Sequence, residues 1–220
     1  MRITMFELAN FDLFNQLEEN EINNILAHIH SRTFRKNTQI ITEGDDSHSL
    51  YFLLEGKAKV YLNDDSGKEI IINMHKPGEF FGELGLIKSI PRTASIMTVV
   101  ESKIGVMQET DFKRCLASFP DFALALIENL SSRLIDATET IRKLGLMDVY
   151  QRIAVTFLSL SEQRGDVRVI PEKLTQQNIA NRVGASREMV ARILKDLRSG
   201  GYITQDSSGI TIHKMLPHSW

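Results

Sequence analysis

One stretch of the chain places an acidic and a basic residue among glycines, a combination suited to binding a sugar phosphate. In residues 78–96, GEFFGELGLIKSIPRTASI, the glycines permit tight backbone turns, so the amides near Gly82 and Leu84 can approach a ligand closely. Glu83 supplies an acceptor for a ribose hydroxyl, and Arg92 supplies a fixed cation for a phosphate. These two side chains could meet opposite ends of a cyclic ribose phosphate. The simpler alternative is an ion pair between Glu83 and Arg92 across a loop.

A second stretch, residues 175–197, has the periodicity of two short helices joined at Gly184. At about 100° per residue, one face of the second helix presents Arg187, Glu188 and Arg192. The opposite face is apolar and contains Met189, Val190, Ile193, Leu194 and Leu197. This arrangement predicts a helix-turn-helix whose second helix enters a DNA major groove.

The polar residues of that second helix have the chemistry needed to read base edges. Arginines such as Arg187 and Arg192 can donate two parallel hydrogen bonds to guanine, and Glu188 can accept one from the amino group of cytosine. Ser186 stands at the N-cap position, where its hydroxyl can accept from an amide of the first turn. The alternative is a solvated charged face on which Glu188 pairs with Arg192, four residues later.

Both stretches resemble sequence motifs of the Crp–Fnr family of bacterial regulators. The segment SREMVARILKDL resembles the recognition helix of that family, in which the pattern SRETVGRIL occurs. Residues 78–96 resemble the phosphate-binding cassette of cyclic-nucleotide domains. The resemblance implies that Arg187, Glu188 and Arg192 contact bases, that Ser186 contacts a phosphate, and that each half-site of a palindrome is TGTGA-like. It also implies double-stranded DNA, RNA polymerase and a second copy of the chain as partners.

The same resemblance assigns roles in ligand binding. Glu83 would bind the ribose 2′-hydroxyl, Arg92 and Thr93 the exocyclic phosphate oxygens, and the amides of Gly82 and Leu84 the sugar and phosphate. Cyclic AMP (cAMP) is the allosteric effector that the resemblance implies. Cyclic GMP (cGMP) or another ligand is the alternative, because a Thr follows Arg92 here as in the cyclic-GMP-gated channels, where that hydroxyl favours guanine.

A heptad seam occupies the segment between the two motifs. Apolar residues alternate four and three positions apart, namely Ala123, Ile127, Leu130, Leu134, Ala137, Ile141 and Leu144. The pattern predicts a parallel two-stranded coiled coil, and thus a homodimer, in preference to a buried monomeric helix. Thr138 stands beside the seam, where the cyclic-AMP-binding family members have a Thr-Ser pair facing the adenine. We therefore expect Thr138 to touch nucleotide bound to either subunit.

The remaining patterns predict an α+β fold in three parts. Residues 1–117 form a cyclic-nucleotide-binding sensor, a β-roll or jelly-roll that begins with short amphipathic helices over residues 5–31. Residues 118–146 form the dimerisation helix and a hinge, with Pro120 in the first helical turn. Residues 147–220 form a winged helix-turn-helix, in which Asp148 caps a helix. Its last part, GYITQDSSGITI, predicts a hairpin or wing.

Length and charge fit this plan. The chain has 220 residues, 42% of them hydrophobic, which is enough for a core in each of two domains. Its formal net charge of −2 does not suggest a DNA-binding protein. From residue 147 onward, however, ten Lys and Arg stand against seven Asp and Glu, while the preceding part has 16 against 21. Only the C-terminal part favours phosphate, so a dimer must combine its contacts.

The reactive residues exclude several other functions. A single Cys115 cannot hold an iron–sulfur cluster, which needs about four thiolates. His75 is conceivable as a haem ligand, but the Glu83–Arg92 cassette favours nucleotide. The six histidines lack metal-ligand spacing, and neither a nucleophile–base pair nor a phosphate loop is visible, so neither a metal site nor an enzyme is expected. The rival function is a nucleotide-binding module without sequence-specific DNA binding.

The sequence also bears on location. Its N-terminus lacks the basic and hydrophobic pattern of a signal peptide, and no apolar run approaches 18 residues. We therefore expect a cytoplasmic protein that does not associate with membranes.

Overall fold

A computed structural model describes residues 3–8, 10–64, 67, 69–206 and 209–216. The chain divides into two compact units, one up to Ile135 and the other from Asp136 onward. No helix in the described ranges is both long enough and apolar enough to pass through a membrane.

In its described residues, the first unit contains short helices and eight strands. Its helices are α1 (Met5–Leu8), a 3-10 turn (Asp12–Phe14), α2 (Glu19–Leu26), α3 (Glu83–Lys88) and α4 (Glu109–Ser118). Its strands are β1 (Ile29–Phe34), β2 (Gln39–Ile41), β3 (Ser49–Glu55), β4 (Ala58–Asn63), β5 (Glu69–His75), β6 (Phe80–Phe81), β7 (Ser95–Thr98) and β8 (Ser102–Gln108).

These strands form two antiparallel sheets, in the orders β1-β8-β3-β6 and β2-β7-β4-β5. Alternate side chains of a strand face opposite sides of its sheet, and the inward residues of the two sheets pack together. This shared core contains Ile41, Leu53, Ala58, Phe81, Ile96 and Ile104. On the other side of the first sheet, Phe52 packs against Phe14 of the 3-10 turn, with ring centroids 5.8 Å apart. The predicted α+β fold with a β-rich N-terminal domain is confirmed.

The second unit is smaller and contains the C-terminal helices. The long helix α5 (Pro120–Leu146) contributes residues to both units. It is followed by α6 (Val149–Leu160), β9 (Glu162–Arg164), β10 (Val167–Ile170), α7 (Gln176–Val183), α8 (Arg187–Ser199), β11 (Ile203–Gln205) and β12 (Ile210–Ile212). The four strands form an antiparallel sheet in the order β11-β12-β10-β9.

Local signals for helix starts are confirmed in this region. Helix α5 begins at Pro120, and Asp148 caps α6 by accepting a hydrogen bond from the Gln151 amide at 2.8 Å. The predicted hairpin near the C-terminus is present as β11 and β12, paired from Ile203 opposite Ile212. Ser207 and Ser208 of this segment lie outside the described residues, as do residues 217–220 of the predicted third domain.

One predicted boundary is wrong. The helical region assigned to residues 5–31 ends with α2 at Leu26, and strand β1 begins at Ile29. Ile29 pairs with Met107 of β8, and both side chains are buried. The apolar spacing around Ile29 fits a helix locally, but this distant pairing places the residue in the sheet.

Candidate functional site

A cavity that is open to solvent lies in the first unit. Part of its wall is apolar and consists of Ile41, Val60, Phe81 and Ile96. The structure brings all five predicted ligand residues of the cassette to this cavity: Gly82, Glu83, Leu84, Arg92 and Thr93. Thr138 belongs to the second unit, and its assignment to ligand binding stays a prediction.

Arg92 is held at the cavity by the protein backbone. Its Nη1 donates to the carbonyl of Gly82 at 2.7 Å and its Nη2 to the carbonyl of Ser49 at 2.8 Å. Burial lowers the pKa of the Arg92 guanidinium, while Tyr51, Glu83 and Asp45 act in the opposite direction. A guanidinium has five N–H donors and does not lose its proton in proteins. After these two bonds, Arg92 therefore still has donors and a positive charge to offer an anion.

Gly82 allows this approach because it has no side chain. Its backbone is left-handed, with φ +87°, and it forms the N-cap of α3. A Cβ atom at this position would lie 2.6 Å from Nη1 of Arg92 and 3.2 Å from the carbonyl oxygen of Ser49. Gly82, which the sequence predicts for a tight backbone turn, is therefore also needed to leave room for the Arg92 guanidinium.

Glu83 carries a buried carboxylate that is only 3% exposed. Its partner is Arg133 of α5, whose Nη1 lies 3.1 Å from Oε1 of Glu83. Arg133 also donates to the carbonyl of Phe80 at 2.6 Å and lies over the Phe80 ring, 4.6 Å from its centroid. Among the described residues no ion pair joins Glu83 to Arg92, so the alternative of a simple Glu83–Arg92 bridge does not describe this structure.

Two cavity residues were missed as ligand-pocket residues by reasoning from sequence. Arg133 stands 50 positions from Glu83 along the chain, and no local motif marks it. His75, the last residue of β5, is 3% exposed, and its Nδ1 lies 2.6 Å from Oε2 of Glu79. The His75 ring also stacks on Phe81, with a centroid distance of 5.2 Å and an interplanar angle of 18°. From the sequence, His75 was considered only as a haem ligand, and the cassette favoured nucleotide instead.

The second unit contains the predicted helix-turn-helix geometry. Thr175 caps α7, with its hydroxyl accepting from the Asn178 amide at 3.0 Å. The chain then turns at Gly184, whose φ of +62° and ψ of +48° lie in the left-handed region that glycine adopts readily. Ser186 caps α8 by accepting from the Met189 amide at 3.2 Å. Both helix starts and the turn between them were predicted from sequence.

Helix α8 has one buried and one exposed face. Its buried residues are Val190, Ile193, Leu194 and Leu197. Arg187, Glu188 and Arg192 are exposed, as is the cap residue Ser186. In the described part of the chain no ion pair links Glu188 with Arg192, whose Nη2 instead lies 2.9 Å from Sδ of Met189. The carboxylate and both guanidinium groups are thus presented to solvent on one surface.

The predicted seam of α5 is largely exposed in the single chain. Ile127 is 60%, Leu134 69% and Ile141 71% exposed, and Ala137 and Leu144 are exposed too. Leu130 is half-buried and packs against the core of the first unit. A regular row of exposed large apolar side chains is typical of a surface that is covered by a partner.

Comparison with known proteins agrees with both sites. Residues 31–119 match the family model of the cyclic nucleotide-binding domain, and residues 151–215 match that of the Crp-like helix-turn-helix domain. The chain is 33% identical over 190 residues to the cAMP-activated global transcriptional regulator Vfr of Pseudomonas aeruginosa, covering 83% of this chain and 88% of Vfr. The chain belongs to the Crp–Fnr family of transcription regulators.

Other Crp–Fnr relatives extend this result. The regulator CRP of Salmonella typhimurium is 31% identical over 193 residues, which are 86% of this chain and 91% of CRP. The structure of CLP from Xanthomonas campestris, a c-di-GMP responsive global regulator, superposes with a TM-score of 0.80 at 26% identity, covering 90% of this chain and all of CLP. FixK2 of Bradyrhizobium japonicum, at 17% identity and a TM-score of 0.69, shares the fold. The relatives of this chain are transcription regulators and not enzymes.

Proposed function

We propose that this Crp–Fnr regulator is a homodimer whose DNA binding is controlled by cAMP bound in the cavity of the first unit. The observation that carries the proposal is the meeting of Glu83, Arg92 and Arg133 at one cavity. Arg92 and Thr93 bind the exocyclic phosphate oxygens, and Glu83 accepts from the ribose 2′-hydroxyl. The amides of Gly82 and Leu84 hold the sugar and phosphate.

The choice of cAMP rests on two arguments. The relatives Vfr and CRP are named as cAMP-activated, and the chain covers most of both. Thr138 of α5 offers a hydroxyl for the adenine, in the role that the family resemblance gives it. cGMP is the second candidate, because Thr93 follows Arg92 and has an exposed side chain next to the phosphate site.

Dimerisation would bring two copies of the DNA-binding unit together. The exposed seam residues Ile127, Leu134, Ala137, Ile141 and Leu144, with the half-buried Leu130, form the interface of a parallel coiled coil. Each α8 then enters a major groove of a TGTGA-like palindrome whose half-sites are one DNA turn, about 34 Å, apart. Arg187, Glu188 and Arg192 read bases, and Ser186 contacts a phosphate. RNA polymerase is the partner expected at the promoter.

Fluorescence anisotropy of a labelled TGTGA-N6-TCACA duplex tests the proposal. Protein is titrated without ligand and with cAMP, cGMP or c-di-GMP, and a scrambled duplex serves as the control. We expect tight binding to the palindrome with cAMP only. Equal binding in all conditions would reject ligand control, and equal binding to the scrambled duplex would reject sequence reading.

Two variants separate the sites in the same assay. Arg92→Leu is expected to abolish the response to cAMP while leaving the fold intact, so an unchanged nucleotide affinity contradicts the assignment of the cavity.

Glu188→Ala is expected to relax specificity at one position of each half-site by about 1–3 kcal/mol. A uniform loss of affinity for every sequence would show that Glu188 reads no base.

A further inference from the structure

His75 is a polar residue in the part of the cavity wall that is otherwise apolar. It ends strand β5 and faces the cavity beside Val60 and Phe81, with Ile41 and Ile96 completing this part of the wall. Its ring is almost fully buried and stacks on Phe81. The Nδ1 atom of His75 is hydrogen-bonded to Glu79, whereas no residue in the described ranges hydrogen-bonds to Nε2.

The partner of Nδ1 decides what Nε2 can do. Burial alone would raise the pKa of Glu79, but the hydrogen bond from His75 and nearby positive charge, including that of Arg133, outweigh it and lower that pKa. Glu79 is therefore an ionised carboxylate at neutral pH, and an ionised carboxylate only accepts hydrogen bonds. Nδ1 therefore donates the hydrogen bond to Glu79, and a neutral imidazole that donates through Nδ1 has its acceptor at Nε2.

Few groups of a bound cyclic nucleotide can hydrogen-bond to Nε2 of His75. In the proposed site Arg92 and Thr93 take the phosphate and Glu83 takes the ribose hydroxyl. The apolar wall around His75 is suited to the face of a purine, because ligand sites are lined mostly by apolar groups with a few polar groups that fix orientation. A nitrogen lone pair repels a phosphate oxygen but attracts the N–H of an amino group.

We propose that Nε2 of His75 accepts a hydrogen bond from the exocyclic amino group of the bound purine, which makes His75 a residue that determines effector specificity. This inference rests on the proposed function, since it requires a cyclic nucleotide in the cavity. Glu79 acts through His75 as a positioning residue, because it fixes the ring and its tautomer.

Isothermal titration calorimetry of the full chain at pH 8 tests this assignment. The two probes are cAMP and its deaminated analogue, purine riboside 3′,5′-cyclic monophosphate, which lacks the amino group. The wild-type chain should bind the analogue about tenfold more weakly, since removing the donor leaves a buried acceptor unsatisfied. His75→Phe keeps a ring that can stack on Phe81 but has no acceptor, so the two probes should bind it equally.

Two further variants complete the design. His75→Gln restores an acceptor and should recover part of the discrimination, while His30→Phe changes an exposed histidine of β1 and should keep all of it. If His75→Phe still prefers cAMP tenfold, or if wild type binds both probes equally, the inference is overturned although the cavity binds cyclic nucleotide. If wild type binds neither probe, the same comparison is made with cGMP and cyclic IMP, and failure to bind all four overturns the proposed function itself.

Discussion

At the scale of single residues, the position of Arg92 depends on the absence of a side chain at Gly82. An alanine there would adopt a left-handed backbone, at a cost of about 1–2 kcal/mol, and its Cβ would meet Nη1 of Arg92. We expect Gly82→Ala to lower the free energy of unfolding by at least this amount and to weaken cyclic-nucleotide binding by more than tenfold. Urea denaturation and calorimetric titration measure the two effects.

Gly67 provides a matched control for this substitution. Its φ of +78° is also left-handed, but a Cβ there would meet no atom within 4 Å. Gly67→Ala should therefore lose a similar strain energy and keep the nucleotide affinity. Equal nucleotide affinities of the two variants would mean that Gly82 matters only for its backbone conformation and that the position of Arg92 is unaffected.

The pair of Glu83 and Arg133 gives a second prediction at this scale. Arg133→Met would leave a buried carboxylate without its cation, which we expect to destabilise the protein by roughly 2 kcal/mol, a value reduced because the Arg133 side chain is 29% exposed. Adding Glu83→Gln should restore part of this loss, since the double variant no longer buries an unpaired charge. Urea denaturation of the wild type, the two single variants Arg133→Met and Glu83→Gln, and the double variant gives the coupling energy between the two side chains.

The surface pair of Arg114 and Asp111 serves as the comparison. The Arg114 side chain is 55% exposed, so Arg114→Met should cost less than about 1 kcal/mol. If Arg133→Met costs no more than Arg114→Met, the Glu83–Arg133 pair does not stabilise the cavity.

These residues also show which parts of the site can be predicted from the sequence and which cannot. Glu83 and Arg92 lie within one glycine-rich segment, so their meeting at one cavity could be foreseen from short spacing. Arg133 and His75 reach the same cavity from α5 and β5. Their approach is set by how the sheets and α5 pack, which local patterns do not contain.

At the scale of secondary-structure elements, the start of α8 combines a structural and a functional role. The Ser186 hydroxyl caps the helix, and Ser186 is also the proposed phosphate contact. Ser186→Ala should lower the free energy of unfolding by about 1 kcal/mol and weaken DNA binding. Ser186→Asp should recover the stability, because Asp is an equally good N-cap, yet weaken DNA binding further by placing a carboxylate beside a phosphate. Thermal unfolding and duplex anisotropy separate the two roles.

A cap outside the helix-turn-helix controls for general loss of stability. Asp148→Ala removes the cap of α6 and should cost a similar 1 kcal/mol or so without changing DNA affinity. If Ser186→Asp binds DNA as well as the wild type does, Ser186 makes no phosphate contact.

Helices with local capping signals were predicted well, whereas two strands that depend on distant partners, β1 and β10, were not. Caps at Thr175, Ser186 and Asp148 fix helix starts because the bonds form within three residues. The β9–β10 hairpin was absent from the prediction, since the segment RGDVRVIPEK has few alternating apolar residues. Strand β10 is held in place by pairing with β12, some forty residues later in the chain.

At the scale of the whole molecule, the central question is how DNA affinity can arise in a chain whose net charge is −2. Ten Lys and Arg against seven Asp and Glu after residue 147 give each copy only a small electrostatic attraction to phosphate. Joining two copies makes binding of the second half-site an intramolecular event and multiplies affinity by about 100- to 10,000-fold. The seam of α5 is therefore expected to determine DNA binding although it contacts no DNA.

Ile141→Glu tests this dependence, because it places a charge at a seam position that is 71% exposed in the single chain. In a symmetric dimer each substitution appears twice at the interface, so two carboxylates would face each other where apolar side chains should pack. Sedimentation velocity should show a shift to monomer, and affinity for the palindromic duplex should fall at least about 100-fold. Ser132→Glu adds the same charge to an exposed α5 position off the seam and should stay dimeric with unchanged affinity. A monomeric Ile141→Glu chain that still bound the palindrome tightly would mean that one copy suffices for recognition, and the two-fold match between protein and palindrome would have to be abandoned.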